Sequence, residues 1–598
     1  MLMRNKQTDF SKVAHYEVPR SKFNRLSEHI TTFNQGDLVP FYNDIDILPA
    51  DTHSLTTSFI IRTVAPLKKP ITANLKLDYW YFFIPYTQLW DIEHTKQFFG
   101  EAIDSAWVNN GAEKTIPQLK FKHDMFGSND SVDANGYITM KTDTLGGTTL
   151  TKTNFVTKVS NSVERYLFFP TMPTSVSGSN MLTVGYKDAN DKYCAFAEDF
   201  EVSAMTLRGY HRCYNWFFRR EDLIAPVTLD TSDSTKTYSG VDDFTPLYKV
   251  SKYRDFFVAN LPQPQKSVIG DVYLPLGTSA PVSVYGDGSE INFHTQATNA
   301  PDTNLLLTGQ TISGNYNTIG FDKTGQNTPS GKLMVSEDPE KSGLIGTADL
   351  SAALAAPVNA LREIIATQRI YEKFAQGSRI EETIAIQYHV NCPELALQIP
   401  EYLGGYSVPI NIAECTDLST NLGAVGAKSA TSHVKHDVTK SFTQWGIILG
   451  LCAVRQNRLY ASAVELGYFR KRIFDFYWPS FSHLGEMPTP NKSLFPFERA
   501  NETFGFHEAW AEYKYKPSRV SGQIMDYADF NTYVFADLYT GCPYLSQEWI
   551  EEDDSQLRYA MGLADDNPVN DFIMDVAVLD TAVRPMPLNS IPGLMDHF

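Results

Sequence analysis

The residues of this chain best suited to bind a metal ion are histidines with a second ligand nearby. His433 and His436 form an HxxH pattern in a segment that we expect to be a loop, and His483 lies close before Glu486. Zinc sites use three or four protein ligands, so two ligands without a placed third are a weak signal. We therefore predict no metal site and no bound cofactor.

Catalytic motifs are absent elsewhere in the sequence. The chain contains no GxxxxGK[ST], no GxGxxG after a strand, no HExxH and no GxSxG. The acidic run of Glu551, Glu552, Asp553 and Asp554 is interpreted as a solvated face, because carboxylates are frequent in an acidic chain. The six cysteines are scattered without a CxxC pair, which favours reduced, buried thiols. These observations predict a protein that is not an enzyme.

The charge of the chain restricts its partners. With 69 acidic and 51 basic residues the formal net charge is −18, so a polyanionic partner would need a local basic patch or a basic helper. Residues 1–30 are predicted to form a basic N-terminal arm. Its candidate phosphate-contacting residues are Arg4, Lys6, Lys12, Arg20, Lys22 and Arg25. Two alternatives stay open: a flexible terminus without a partner, and an arm that contacts only other subunits.

The clearest core strand lies near the start of the segment from Lys440 to Glu486. Residues 445–454 are apolar on both faces of an extended chain, which predicts a strand buried on both sides. One face carries Trp445, Ile447, Leu449, Leu451 and Ala453, and the other carries Ile448, Cys452 and Val454. Gly446 and Gly450 would let another backbone or sheet approach this strand closely.

An aromatic cluster follows in the same segment, around Pro479. Its members are Phe474, Phe476, Tyr477, Trp478 and Phe481. Aromatic side chains supply large buried areas to protein cores, and they are also enriched where protein chains meet. Composition alone does not separate core packing from a contact between copies of the chain, so both interpretations stand.

Further strands and a few helices are expected along the chain. Alternating apolar residues predict strands at 55–61 and 75–83, a short helix is expected over 89–99, and a longer one between Pro357 and Gly377. Two polar, turn-rich stretches, at about 109–198 and about 268–346, are interpreted as surface insertions. The pattern favours a mainly β fold, an antiparallel sandwich or jelly roll with long loop insertions, over α/β layering.

Several motifs, taken in order, resemble one protein family. They are YWYFFIP, LW, FFGE, RGYHRCYNWFFR, LPQPQK, PEYLGG, KSFTQWGIILGLCAVR, DFYWPSFSHLGE, YKYKPSRVSG and the terminal RPMPLNSIPGLMDHF. In this order they resemble the major capsid proteins of the gokushovirus branch of the Microviridae, which are small tailless phages with single-stranded DNA. The resemblance spans residues 33–598 and is interrupted by the two polar stretches.

The resemblance implies a fold and an assembly. Residues 31–598 are expected to form a single jelly-roll domain of eight antiparallel strands, with about sixty copies closing an icosahedral T=1 shell around a circular single-stranded DNA genome. The 268–346 insertion occupies the place of the family's three-fold protrusion and is expected to contribute to host attachment. The 109–198 stretch looks longer than the family usually carries, so either insertion could dominate the outer surface.

The resemblance also implies partners. Besides other copies of the chain and the DNA genome, these are a small basic DNA-packaging protein, scaffolding and pilot proteins, and a host cell-surface receptor. The basic arm is expected to face inward and contact phosphates without reading sequence. The protein would be made in the host bacterial cytoplasm, since its N-terminus has no apolar signal sequence, and would end in the virion.

A second class of protein remains as the alternative. A jelly-roll carbohydrate-binding protein or glycosidase would have a similar strand-rich composition. Such proteins commonly carry a secretory signal, and a glycosidase needs two carboxylates placed across a cleft. The particle mass would separate the two classes, because a capsid protein forms megadalton shells.

Overall fold

A computed structural model describes most of the 598-residue chain. It covers residues 19–264 apart from 73–74, 100–114 and short gaps between 124 and 197. It also covers six short strands between 282 and 348, residues 385–386, and residues 398–589 apart from 417–424, 483, 528–529, 531 and 565–566. Two compact units result, one formed by residues 1–266 with 373–598 and the other by residues 267–372.

Eight long strands of the first unit build two four-stranded sheets. They are β1 Ser21–Phe33, β2 Val39–Ile47, β3 Thr52–Thr63, β4 Leu75–Pro85, β5 Glu401–Pro409, β6 Thr431–Ser441, β7 Gly446–Gln456 and β8 Phe572–Arg584. One sheet has the order β1-β8-β3-β6 and the other β2-β7-β4-β5. All neighbouring pairs in both sheets are antiparallel. The prediction of a mainly β fold is confirmed.

Strand β7 is buried on both faces, as its sequence predicts. Ile447, Leu449, Leu451 and Ala453 lie in one core cluster, and Ile448, Cys452 and Val454 lie in another. A Cβ atom built on Gly450 would lie 2.9 Å from Phe41 Cζ, so only glycine allows this close packing. Because the two faces enter different clusters, β7 joins both layers of the core.

The second of these clusters fills the space between the two sheets. Phe59 and Val576 enter it from one sheet, and Tyr79 and Tyr81 enter it from the other. Along β8 the residues alternate between buried and partly exposed, because one face of its sheet lies against this cluster and the other faces outward. The inward-facing register of β8 extends to Asp580 and Arg584, which are also buried.

The α-helices are few and short in the described residues, which also contain several short 3₁₀ and π-helical turns. They are α1 Tyr86–Leu89, α2 Ile92–Phe98, α3 Val163–Leu167, α4 Met205–Cys213, α5 Gln547–Ile550 and α6 Ser555–Met561. The helix expected over 89–99 is present as α2, and the one predicted between Pro357 and Gly377 lies outside the described residues. Helix α4 packs on β7, where a Cβ on Gly209 would lie 2.7 Å from Ile447 Cδ1. Of the described helices, none is long and apolar enough to span a membrane.

The surface interpretation of residues 109–198 is wrong for part of that stretch. Leu119 and Phe121, on the strand Gln118–Phe121, are buried in the cluster that covers the outer face of β7. Val163 and Phe169 lie in the same cluster. The polar composition of the stretch as a whole concealed these few apolar residues, which find their core partners in α4 and in the region around Tyr238.

The remaining strands are short. In the first unit they are Gln118–Phe121, Ser128–Asn129, Ile138–Met140, Thr144–Leu145, Thr148–Thr149, Ser175–Ser177, Met181–Val184, Tyr186–Lys187, Tyr193–Cys194, Phe200–Ser203, Lys236–Tyr238, Ile412–Thr416, Val425–Ser429, Glu486–Pro490 and Thr503–Glu508. In the second unit they are Val282–Gly286, Phe293–Thr295, Leu307–Ile312, Tyr316–Phe321, Leu333–Val335 and Leu344–Ala348. The second unit's strands pair two by two within that unit.

Candidate functional site

The HxxH pattern lies on strand β6, and the expectation of a loop is wrong. His433 and His436 are three positions apart on a strand, so their side chains point to opposite faces. His433 stacks on Tyr406 with ring centroids 5.3 Å apart, and His436 Nε2 lies 3.0 Å from Thr439 Oγ1. The two histidines therefore do not approach a common ion. His483 lies outside the described residues.

A cluster of buried charges between β1, β2, β3 and β8 was not identified from the sequence. His53 Nδ1 lies 3.0 Å from Asp580 Oδ2, and its Nε2 lies 3.4 Å from Asp51 Oδ2. Arg25 forms ion pairs with both Asp44 and Asp580. One signal for it exists in the sequence: His53 and Asp580 continue the inward-facing alternation of their strands.

The electrostatics of this cluster favour an ion-pair network. Asp44, His53 and Asp580 offer ligand atoms within 4.8 Å of one another, a spacing that a metal ion could use. However, the guanidinium of Arg25 already contacts both carboxylates and supplies the positive charge that a cation would bring. Burial alone would raise the pKa of Asp580, but the hydrogen bonds and charges of His53 and Arg25 outweigh burial and hold this pKa below its usual range.

The candidate DNA-facing residues divide into three groups. Arg4, Lys6 and Lys12 lie outside the described residues. Arg20 donates hydrogen bonds to Ala50 O and Thr52 Oγ1, and Lys22 is exposed on β1. Arg25 is held by Asp44 and Asp580, so it is not available to contact phosphates.

The boundary of the basic arm also needs correction. Residues 21–33 form β1, which pairs along its whole length with β8, from Ser21 opposite Arg584 to Phe33 opposite Phe572. A segment fixed in a sheet is not a free arm. The part of the arm that precedes β1 therefore ends by residue 20.

The aromatic cluster around Pro479 lies largely on the surface. The exposed fractions of the side chains are 70% for Phe474, 49% for Phe476, 43% for Tyr477 and 44% for Trp478. Phe481 and Tyr477 contact the buried Trp510, with ring centroids 6.3 Å and 5.8 Å from it. Core packing within the chain is thus wrong for most of these residues, and a contact with another molecule is the interpretation that remains.

Comparison with known proteins connects these features to a family. A family model described as "Capsid protein (F protein)" matches residues 11–146 and 151–594. The chain belongs to this capsid protein family. The motif resemblance is thereby confirmed, and the chain is a major capsid protein of a bacteriophage and hence a component of the virion.

Three similar proteins carry the name "Capsid protein VP1". Those of Bdellovibrio phage phiMH2K and Chlamydia phage 1 are 27% and 28% identical, covering 100% and 99% of this chain and 99% and 98% of the relatives. That of Spiroplasma virus 4 is 26% identical, covering 98% of this chain and 97% of the relative. All three phages are gokushovirus-type Microviridae. The carbohydrate-binding and glycosidase alternatives are set aside, because family and relatives are structural capsid proteins.

Proposed function

We propose that this capsid protein is a jelly-roll subunit, about sixty copies of which close an icosahedral T=1 shell around a circular single-stranded DNA genome. The observation that carries the proposal is the strand order of the two sheets. Counted along the chain, the first strand pairs with the eighth, the second with the seventh, the third with the sixth and the fourth with the fifth.

This pairing supports a jelly roll for a geometric reason. It is the order obtained when one long antiparallel ribbon, made of the chain folded back on itself, wraps into two facing sheets. The cluster that fills the space between the sheets takes side chains from both of them. Shells built of such domains close by point-group symmetry, in which every copy repeats the same few contacts.

Particle mass tests the shell. About sixty copies of the 67.2 kDa chain have a mass of about 4 MDa. We expect the purified protein, under conditions of assembly, to elute from a sizing column at that mass and to show closed particles by electron microscopy. Recovery of only monomers or dimers from mature virions would contradict the proposal.

A basic N-terminal segment is the proposed contact with the genome. Arg4, Lys6 and Lys12, with the exposed Lys22, remain as candidates, because Arg20 donates hydrogen bonds to Ala50 and Thr52 and Arg25 belongs to internal ion pairs. Contacts between these cations and phosphates would position DNA without reading sequence. Because few charges per subunit face a chain of net charge −18, a small basic packaging protein is proposed to supply most of the neutralisation.

Host attachment is proposed for the 268–346 insertion. This range falls within the separate unit 267–372, whose described strands pair only with one another. Loops and insertions carried on a rigid scaffold are the usual place for recognition. A cell-surface receptor is the proposed partner of this unit. Scaffolding and pilot proteins are proposed assembly partners, and the host cytoplasm is the proposed site of synthesis.

A further inference from the structure

A surface turn, Tyr468–Trp478, combines exposed aromatic and basic side chains. Lys471 and Arg472 are exposed beside Ile473 and Phe474, which are 62% and 70% exposed. At roughly 200 Å² for each aromatic side chain, the exposed fractions of Phe474, Phe476, Tyr477 and Trp478 amount to about 400 Å² of mainly apolar surface. The largest apolar patch on a protein without a partner is about 300–600 Å² and is often functional, so a patch of this size is a candidate contact.

The Tyr468–Trp478 turn is fixed in shape before any partner arrives. Asp475 Oδ2 accepts hydrogen bonds from the backbone N–H groups of Lys471 (2.7 Å) and Arg472 (2.8 Å), which lower the pKa of Asp475. Trp478 Nε1 donates to Ile473 O at 2.9 Å. A preformed turn loses little conformational entropy on binding, which favours its use as a contact.

An acidic groove lies on the same unit and has the opposite charge. Its cavity of about 770 Å³ is lined by six carboxylates and by two basic side chains, Lys249 and Lys252, so acidic groups predominate. Four of the carboxylates are Glu548, Glu551, Asp553 and Asp554. Among the described residues, none of the four has a basic side chain within the 4.0 Å of an ion pair. Tyr544 and Tyr559, which are 58% and 53% exposed, add aromatic surface to this Glu551 groove.

One residue that lines the Glu551 groove carries a further acceptor without a hydrogen-bond donor among the described residues. Asp537 is 8% exposed and lines the cavity, and its Oδ1 accepts a hydrogen bond from Arg458 at 3.0 Å. Its Oδ2 is buried and accepts no hydrogen bond from the described residues. A buried acceptor without a donor costs free energy. The groove therefore favours a cationic, aromatic occupant.

We propose that the Tyr468–Trp478 turn of one copy docks into the Glu551 groove of a neighbouring copy in the shell. Lys471 and Arg472 would meet the rim carboxylates, and the exposed rings of the turn would pack on Tyr544 and Tyr559. The two surfaces differ, so the contact is heterologous, the kind that closes rings of subunits around a symmetry axis. The inference rests on the proposed shell and assigns one of its contacts.

Nucleic acid is a less suitable occupant of the aromatic turn. Surfaces that bind single-stranded DNA combine stacking rings with a strongly positive groove. Within this turn only Lys471 and Arg472 stay without an ion pair among the described residues, since Arg470 pairs with Glu512 at 3.0 Å, and beside the turn Lys514 pairs with Glu508 at 2.5 Å. An apolar centre with a rim of paired charges is the composition of a contact between proteins.

Charge exchange tests the proposed pair of surfaces. We expect Lys471→Glu/Arg472→Glu and, separately, Glu551→Lys/Asp553→Lys to lower the yield of sedimenting shells at least tenfold, because like charges would then face each other. Combining all four substitutions in one chain should restore the yield to within about threefold of wild type. Arg62→Glu/Lys96→Glu, at other surface residues, is the matched control and should leave the yield unchanged.

The same experiment includes controls for folding and has results that would overturn the docking. Circular dichroism and the urea midpoint of each variant report folding, and Gln versions of the four residues serve if a reversed charge prevents it. Normal assembly of either charge-reversed variant, or no recovery in the combined one, would overturn the docking. The docking would also be overturned if the Phe474→Ser variant formed shells normally but those shells retained less DNA. Wild-type protein that never forms shells would instead refute the proposed function.

Discussion

Asp580 shows at the scale of single residues how buried charge is stabilised in this protein. It is 1% exposed and contacts both His53 and Arg25. Removing one member of a buried ion-pair network leaves the others charged and without a counter-ion. The network also links three strands of one sheet to Asp44 on β2 of the other. Its loss should therefore loosen the contact between the sheets.

Asp580→Asn should lower the free energy of unfolding by about 3 kcal/mol. The loss is expected at the lower end of the range for buried pairs, because Arg25 is 35% exposed and stays partly solvated. Urea unfolding of the purified subunit measures it. The control is Asp46→Asn, at an exposed position on β2, which should change stability little. Equal effects of the two substitutions would contradict the network.

The acid dependence of stability gives a second prediction for Asp580. Its pKa is lowered in the folded protein, so its contribution is present above about pH 4, where unfolded aspartate titrates, and is lost as pH falls through the lower folded pKa. The difference in stability between wild type and Asp580→Asn should therefore shrink below about pH 4. Urea unfolding at a series of pH values measures it. A difference that stays constant down to pH 3 would show that the carboxylate charge is unimportant.

Gly450 is a residue at which both neighbouring strands pack closely on β7. A Cβ at this position would lie 2.9 Å from Phe41 Cζ and 3.1 Å from Tyr81 Cε1. Gly450→Val should destabilise the subunit by about 2 kcal/mol through overpacking. The matched control is Gly240→Val, since a Cβ there meets no atom within 4 Å. Urea midpoints of the two variants measure the difference. If Gly450→Val is as stable as wild type, β2 can move away from β7.

At the scale of elements, the 267–372 unit differs from the sandwich in how its strands pair. The hairpin of Leu307–Ile312 with Tyr316–Phe321 is a separate two-stranded sheet and shares no ladder with the eight long strands. In the described residues, the core clusters of the sandwich are formed by side chains of the first unit. The unit should therefore tolerate changes that the sandwich does not.

Replacing Asn315–Pro329 with a short Gly/Ser linker should leave the sandwich folded. The expected urea midpoint is that of wild type, and particles should still form while adsorption to host cells falls. The contrasting variant replaces residues 75–85 with the same linker, since they form β4 and should be required for folding. If the shortened chain fails to fold, the insertion belongs to the core.

At the scale of the whole molecule, a net charge of −18 would repel the proposed DNA genome, which is a polyanion. Arg4, Lys6 and Lys12 changed to Gln should reduce DNA retention in shells and lower the slope of log affinity against log salt for single-stranded DNA by about 2. Shell yield should not change. DNA content per particle across a salt series measures the effect. The control changes Arg62, Lys68 and Lys516 to Gln, and equal retention in both variants would exclude the segment as a DNA contact.

The sequence by itself determined the family, the mainly β class and the double-sided burial of β7. Each of these depends on local order: motifs read in succession, or apolar residues alternating within ten positions. The glycines of β7 were also predicted correctly, because close approach needs a missing side chain wherever the neighbour comes from.

Only the tertiary structure showed that Arg25 belongs to an ion-pair network and that most of the aromatic cluster lies on the surface. Arg25 looks like part of a basic arm until β1 pairs with β8, which brings Asp580 to it from 555 residues away. Phe474 and Trp478 have the composition of a core, yet they lie on the surface, because the clusters nearby are filled by other side chains. Pairing and burial depend on distant segments, and no local pattern in the sequence records which segments will meet.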